Sequence, residues 1–351
     1  MRVIALYGPR DVREEEWPKP DPGPGDVRIR IKSVCICGSD KTQYELGRIG
    51  ELAAPVPFLL GHEAAGLVDA VGPGVTGLVE GMPVAVEPAM PCMACDYCLG
   101  GRHNLCTGMR FLGSPPVHGA LAEYLVMPAR NVFPVKARIS YAEIACIEPL
   151  AIALHALRLV PVGLGERVAI FGAGGIGQAL LIAVNASGAR VTAVTDMVPS
   201  RLALADQLGA GRGYNAAEDA GERILELTAG RGVEVSFVTA GAPDALRDAV
   251  RATARGGRIA VIGTPHEDEW GFPVSACRRK QLRVQFVYRS NHTMKNAAEL
   301  VERGDVCLGP LVTHRLPWER AEEAFEMALR NDDGTLRIAL EPEDLGVPYY
   351  H

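Results

Sequence analysis

The sequence predicts an α/β protein of two domains: a β-rich, irregular domain and a doubly wound parallel sheet. Three observations carry this expectation. "DVRIRIKSV" (26–34) alternates apolar and charged residues, as a strand with one buried face does. From about residue 150, near-continuous apolar strands alternate with amphipathic helical stretches, as in a parallel sheet covered on both faces. "GAGGIG" (172–177) lies between an apolar strand and an apolar helix. At 351 residues the chain is long enough for about two domains with real cores.

In the first strand Val27, Ile29 and Ile31 stand against Arg28, Arg30 and Lys32. "AAGLVDAVG", "MPVAVEP" and "LAEYLVMP" read as further short strands, parted by turns such as "PDPGPGD" and "GPGVTG". The texture changes near residue 150. "RVAIFG", "RVTAVTD", "GVEVSFVTA", "GGRIAVIGT" and "QLRVQFVY" are the strands, with helices at "QALLIAVNAS", "SRLALADQLGA" and "PDALRDAVRATA". A helix over 293–303, the segment "LVTHRL" and a helix over 318–329 follow, and the irregular tail is expected to rejoin the first domain.

The greasiest stretch, residues 168–184, is slightly short for a membrane helix and is broken by Gly172, Gly174, Gly175, Gly177 and Gln178. A strand, a tight turn and a buried helix fit it better. "MRVIALYGPRDVREEE" has no signal-peptide core, so a cytoplasmic protein with reduced thiols is expected. A net charge of −6 without a long block of one sign argues against nucleic acid as a partner.

"GAGGIG" matches G-x-G-x-x-G, the phosphate-binding turn of a Rossmann domain. Gly172 permits the turn, Gly174 lets the backbone approach a pyrophosphate, and Gly177 lets helix and strand pack closely. Gly175 and Ile176 complete the turn, and the pyrophosphate would sit at the helix N-terminus. Asp196 ends the next strand, where a carboxylate accepts the ribose hydroxyls and repels a 2′-phosphate, which favours NAD over NADP. Arg201 would lie against the adenosine or be a surface charge.

Four of the nine cysteines, Cys92, Cys95, Cys98 and Cys106, fall within fifteen residues. Reduced thiols at this spacing wrap one tetrahedral zinc in a closed, structural site. An iron–sulfur cluster uses similar spacing, but nothing else in the chain suggests electron transfer. A sparser set is Cys37 in "CGSD", His62 and Glu63 in "GHE", and Glu148 at a helix start before Pro149. Singly, these read as a small buried residue, a core histidine and a helix-terminal charge.

Together, "CGSD", "GHE", "CMACDYCLGGRHNLC", "EPLAIALHA", "GAGGIG" and "TD", in this order, resemble the zinc-dependent medium-chain dehydrogenase/reductase superfamily. "YELGRIG", "GHEAAG", "IEPLAIALHA", "YRSNHT" and "PLVTHRLPWERAEEAFE" are most similar to its sorbitol (polyol) dehydrogenase branch; the alcohol dehydrogenase branch carries cysteine where Glu148 stands. The resemblance implies a GroES-like catalytic domain (1–150 and 289–351) around a Rossmann domain (151–288), and a homotetramer or homodimer. It implies a catalytic zinc held by Cys37, His62 and Glu63, with Glu148 binding directly or through water.

Such a zinc acts as a Lewis acid on a secondary alcohol, and hydride passes to NAD to give a ketone. Ser39, two residues from Cys37, is the first hydroxyl of a proton relay or a turn hydrogen bond. By resemblance, Ile262, Gly263 and Thr264, with Val287 and Tyr288, flank the nicotinamide, and Arg289 reaches the substrate. Gln43 and Ser290 stand where polyol dehydrogenases usually present tyrosines; the replacements either open the pocket or are neutral changes at its edge. A linear polyol such as sorbitol or xylitol is expected as substrate, with a cyclitol, an aminocyclitol or threonine as alternatives. A non-catalytic NAD-binding protein is the reading from another class; it would show eroded zinc ligands, and none is eroded here.

Overall fold

The computed structural model describes residues 1–265, 269–331 and 334–342. The chain divides into two compact units, Met1–Glu148 with the residues from Met294 onward, and Pro149–Thr293. Of the tail expected to rejoin the first domain, Arg337–Glu341 pairs with the strand Asp26–Cys35, and residues 343–351 lie outside the described residues.

The first unit is built on a seven-stranded sheet around Asp26–Cys35. That strand pairs antiparallel with Glu63–Val71 on one edge, and with Tyr124–Pro128 and Arg337–Glu341 on the other. Val27, Ile29 and Ile31 are buried and Arg30 is exposed. The alternation stops at Lys32, which is only 8% exposed. Here the register slips, because Ile31 faces Gly66 and Ser33 faces Ala65, and this bulge re-aims the end of the strand. The chain then turns at Cys37 into the helix Gly38–Leu46. Tyr44 anchors that helix by stacking on Phe325 of the helix Ala321–Arg330, with ring centroids 4.7 Å apart. Both rings belong to one core with Val27, Ile29, Phe58 and Trp318.

The second unit is a six-stranded parallel sheet. In chain order its strands lie 3-2-1-4-5-6, the doubly wound arrangement whose switch point falls between Arg167–Phe171 and Val233–Val238. Residues 168–184 are the first strand, the turn and the helix Gly175–Ala186. Among the described residues no helix is long and apolar enough to cross a membrane. Three elements are additional to those expected: the edge strand Arg212–Asn215 and the helices Ala220–Leu227 and Val274–Lys280. The helix expected to run through Thr253 ends at Ala252. Thr253 opens the next strand, its hydroxyl 2.7 Å from that of Ser236.

Candidate metal centres and dinucleotide cradle

Cys37, His62 and Glu63 converge in the first unit, each offering a ligand atom within 4.8 Å of the others. The fold explains the convergence. Cys37 caps the helix Gly38–Leu46, while His62 and Glu63 lead into the strand paired with Asp26–Cys35. Glu63 is fully buried, and its Oε1 has no hydrogen-bond partner among the described residues. A buried carboxylate oxygen left bare is costly unless a cation meets it. Burial disfavours the charged imidazole of His62, but Asp40 and Cys37 outweigh it and raise its pKa well above the ordinary value. The place therefore attracts positive charge. One thiol, one imidazole and one carboxylate suit zinc, and three protein ligands leave a position open. Glu148 stands outside this tight group. It is 5% exposed, and burial, with the Glu63 charge beside it, pushes its pKa up to about 8.

Two residues around the centre carried no expectation from the sequence. The buried Asp40 accepts hydrogen bonds at 3.0 Å from the Cys37 and Gly61 backbone N–H groups, and its Oδ1 lies 3.5 Å from His62 Nδ1. Arg337, also buried, donates from Nη1 to Glu63 Oε2. Asp40 stands in "CGSD", beside the expected ligand Cys37. Arg337 belongs to no motif, and its one signal is a lone arginine in the apolar run "LRIAL".

The four clustered cysteines also converge, their sulfurs within 4.8 Å of one another and unlinked by disulfides. Cys92 and Cys98 sulfurs are 4.0 Å apart, about twice a disulfide bond length. Backbone N–H groups of Cys98 and Thr107 push the Cys95 thiol down to about 6, while burial pushes Cys98 up to about 12. Four sulfurs around one point, partly dressed by N–H donors, form a closed thiolate cage that suits structural zinc.

In the second unit the turn 172–177 has the form of a phosphate cradle. Gly172 has φ +110°, and a Cβ there would stand 2.8 Å from Ala240 N. A Cβ on Gly177 would stand 1.9 Å from Gly172 O, whereas one on Gly174 would meet nothing within 4 Å. The first and last glycines thus serve packing, and the middle one keeps a space open at the helix N-terminus. Asp196 Oδ2 accepts from Ala173 N at 2.7 Å and Oδ1 from Val198 N at 2.9 Å, with Arg201 Nη1 3.7 Å away. The carboxylate holds the turn through these two bonds, and each oxygen keeps a second lone pair. Gly175 and Ile176 begin the helix; Ile262, Gly263 and Val287 hang from the ends of adjacent strands through bonds to Val238 and Val261. Thr264 and Tyr288 are exposed.

Residues 23–137 match the alcohol dehydrogenase GroES-like domain and residues 175–303 the zinc-binding dehydrogenase domain. The chain is 36% identical to the sorbitol dehydrogenase of Bacillus subtilis (strain 168) over 97% of both chains. The chain belongs to the zinc-binding dehydrogenases, in their sorbitol dehydrogenase-like branch. The dehydrogenase is also 34% identical to L-idonate 5-dehydrogenase of Vitis vinifera, over 85% of its own length and 83% of the relative's. Among solved structures, galactitol-1-phosphate dehydrogenase from Escherichia coli superposes with a TM-score of 0.89 at 30% identity, over 97% of this chain and 100% of the other.

The remaining site candidates of the dehydrogenase fall in both units. Ser39 is half-buried on the first turn of the helix that Cys37 caps. Gln43 is buried one helical turn beyond Asp40, and its Nε2 has no hydrogen-bond partner among the described residues. In the second unit Arg289 adopts φ +58° with its guanidinium 4.8 Å over the Tyr288 ring, and Ser290 is buried.

Proposed function

We propose that this dehydrogenase oxidises a secondary alcohol of a polyol to a ketone, with zinc and NAD as its cofactors. The observation that carries the reading is the convergence of Cys37 with the buried His62 and Glu63, whose carboxylate keeps one bare oxygen. Bound zinc supplies a Lewis acid for the substrate hydroxyl, and bound NAD supplies the hydride acceptor. Cys37, His62 and Glu63 hold the metal, with Glu148 as a further ligand, directly or through water. Ser39 takes the hydroxyl proton outward. The unpartnered Gln43 amide donates to a neighbouring hydroxyl, and Arg289 and Ser290 bind others on the polyol. Cys92, Cys95, Cys98 and Cys106 hold a second, structural zinc. Gly172, Gly174, Gly175, Ile176 and Gly177 seat the pyrophosphate, Asp196 and Arg201 the adenosine, and Ile262, Gly263, Thr264, Val287 and Tyr288 the nicotinamide.

A linear sugar alcohol is the first choice of substrate. Gln43, an amide where a tyrosine is usual, favours a ring polyol as the second. We further propose a homo-oligomer in the cytoplasm. Among the described residues Arg283–Phe286 is the last strand of its sheet, and Phe286 is 65% exposed on it, a surface suited to a second copy. The nine free cysteines agree with a reducing compartment. The test is NADH formation from sorbitol, xylitol and myo-inositol set against simple primary alcohols. The polyols should give the higher kcat/KM. Primary alcohols outperforming all three would end the polyol reading, and NADH binding without any turnover would favour a non-catalytic protein.

A further inference from the structure

The ion pair of Arg337 with Glu63 joins residues 274 positions apart and is closed from solvent. Taking two charges out of water is expensive, and such a pair is weak evidence for a purely stabilising role. Its position suggests another. Arg337 engages Oε2 of Glu63 and leaves Oε1 as the oxygen without a hydrogen-bond partner among the described residues. Its charge also acts on Cys146, Cys37 and Cys35. If Cys37, Glu63 and Glu148 all bind as anions, they bring three negative charges against the two positive charges of zinc. A guanidinium keeps its proton in proteins, so it is a permanent cation beside this set.

We propose that Arg337 is a positioning residue for the catalytic zinc: it fixes which Glu63 oxygen meets the ion and supplies the charge that balances the buried ligand set. This rests on reading Cys37, His62 and Glu63 as the ligands. Groups that orient metal ligands typically contribute about 10–100-fold to metal affinity.

The experiment counts zinc by mass spectrometry after dialysis against graded chelator in wild type, Arg337→Met, Arg337→Lys and Cys37→Ser. Wild type should hold about two ions per chain. Arg337→Met should release one of them at about 10–100-fold lower chelator and keep the other, with NADH binding intact. Arg337→Lys keeps the charge but loses the planar fork, so it should fall between the two, with altered d–d bands when cobalt replaces zinc. If Cys37→Ser releases one ion while Arg337→Met holds both like wild type, the proposal falls alone. If Cys37→Ser releases none, the ligand reading falls and takes the proposal with it. Should Arg337→Met fail to fold, Arg337→Lys decides: weaker retention of a single ion supports the proposal, and wild-type retention with unchanged cobalt bands overturns it.

Discussion

Asp40 shows how one carboxylate can prepare a metal site it does not join. It holds the Cys37 backbone with one oxygen, and with the other holds Gly61 and approaches His62. A carboxylate behind a ligating imidazole fixes the ring and its tautomer. Asp40→Asn should therefore lower affinity for the catalytic zinc by about 10–100-fold while leaving NADH affinity unchanged. Zinc titration and NADH fluorescence on one preparation would check this. His118 is a residue of another kind. It lies between Trp17 and Phe58, and its Nδ1 accepts from Leu59 N at 3.3 Å. Burial lowers its pKa below 6.5. The folded state then binds fewer protons than the unfolded one, so this contribution is present above about pH 6.5 and is lost as pH falls through the folded value. His118→Gln keeps an acceptor without a titration, so its melting temperature should fall less steeply on acidification. His155, also lowered by burial, acts in the same direction, and part of the slope should remain. A slope identical to wild type would exclude His118 as its source.

At the scale of elements, the glycine turn separates packing from binding. A methyl on Gly174 points into open space, so Gly174→Ala should cost less than about 1 kcal/mol of stability yet weaken NADH binding by about tenfold or more. A methyl on Gly177 would overlap Gly172 O, so Gly177→Ala should lose more than about 2 kcal/mol. Denaturant melts and NADH titration of the two variants should give opposite rankings. This turn was legible because strand, glycines, helix and Asp196 lie within thirty residues of chain. Elements with an apolar period were legible too, from Asp26–Cys35 to the helix Pro243–Ala252. The edge strand Arg212–Asn215 and the helix Val274–Lys280 were not, because neither has a fully buried residue to set a period. The bulge at Lys32 escaped for a related reason: pairing with Glu63–Val71, not local sequence, creates it. Arg337 was illegible as a site residue because its partner Glu63 lies 274 residues away, and Asp40 because its approach to Gly61 and His62 is made by the fold and not by the motif that holds it.

For the whole molecule, the exposed edge strand Arg283–Phe286 bears on assembly. If it is the contact between copies, Phe286→Asp should shift the protein toward monomer in light scattering while each chain still binds NADH. An unchanged oligomer would place the contact elsewhere. The two units also differ in how the chain supplies them. The dinucleotide unit is one continuous segment, Pro149–Thr293, whereas the metal-bearing unit draws on residues both before and after it. Its central strand Asp26–Cys35 stays incompletely paired until Arg337–Glu341 arrives, and that late strand carries the partner of Glu63. During synthesis on the ribosome, then, the nucleotide-binding half can mature while its sister waits. A nascent chain stalled short of residue 337 should hold NADH yet be unable to retain the reactive ion, so metal acquisition becomes a late event in the birth of the enzyme.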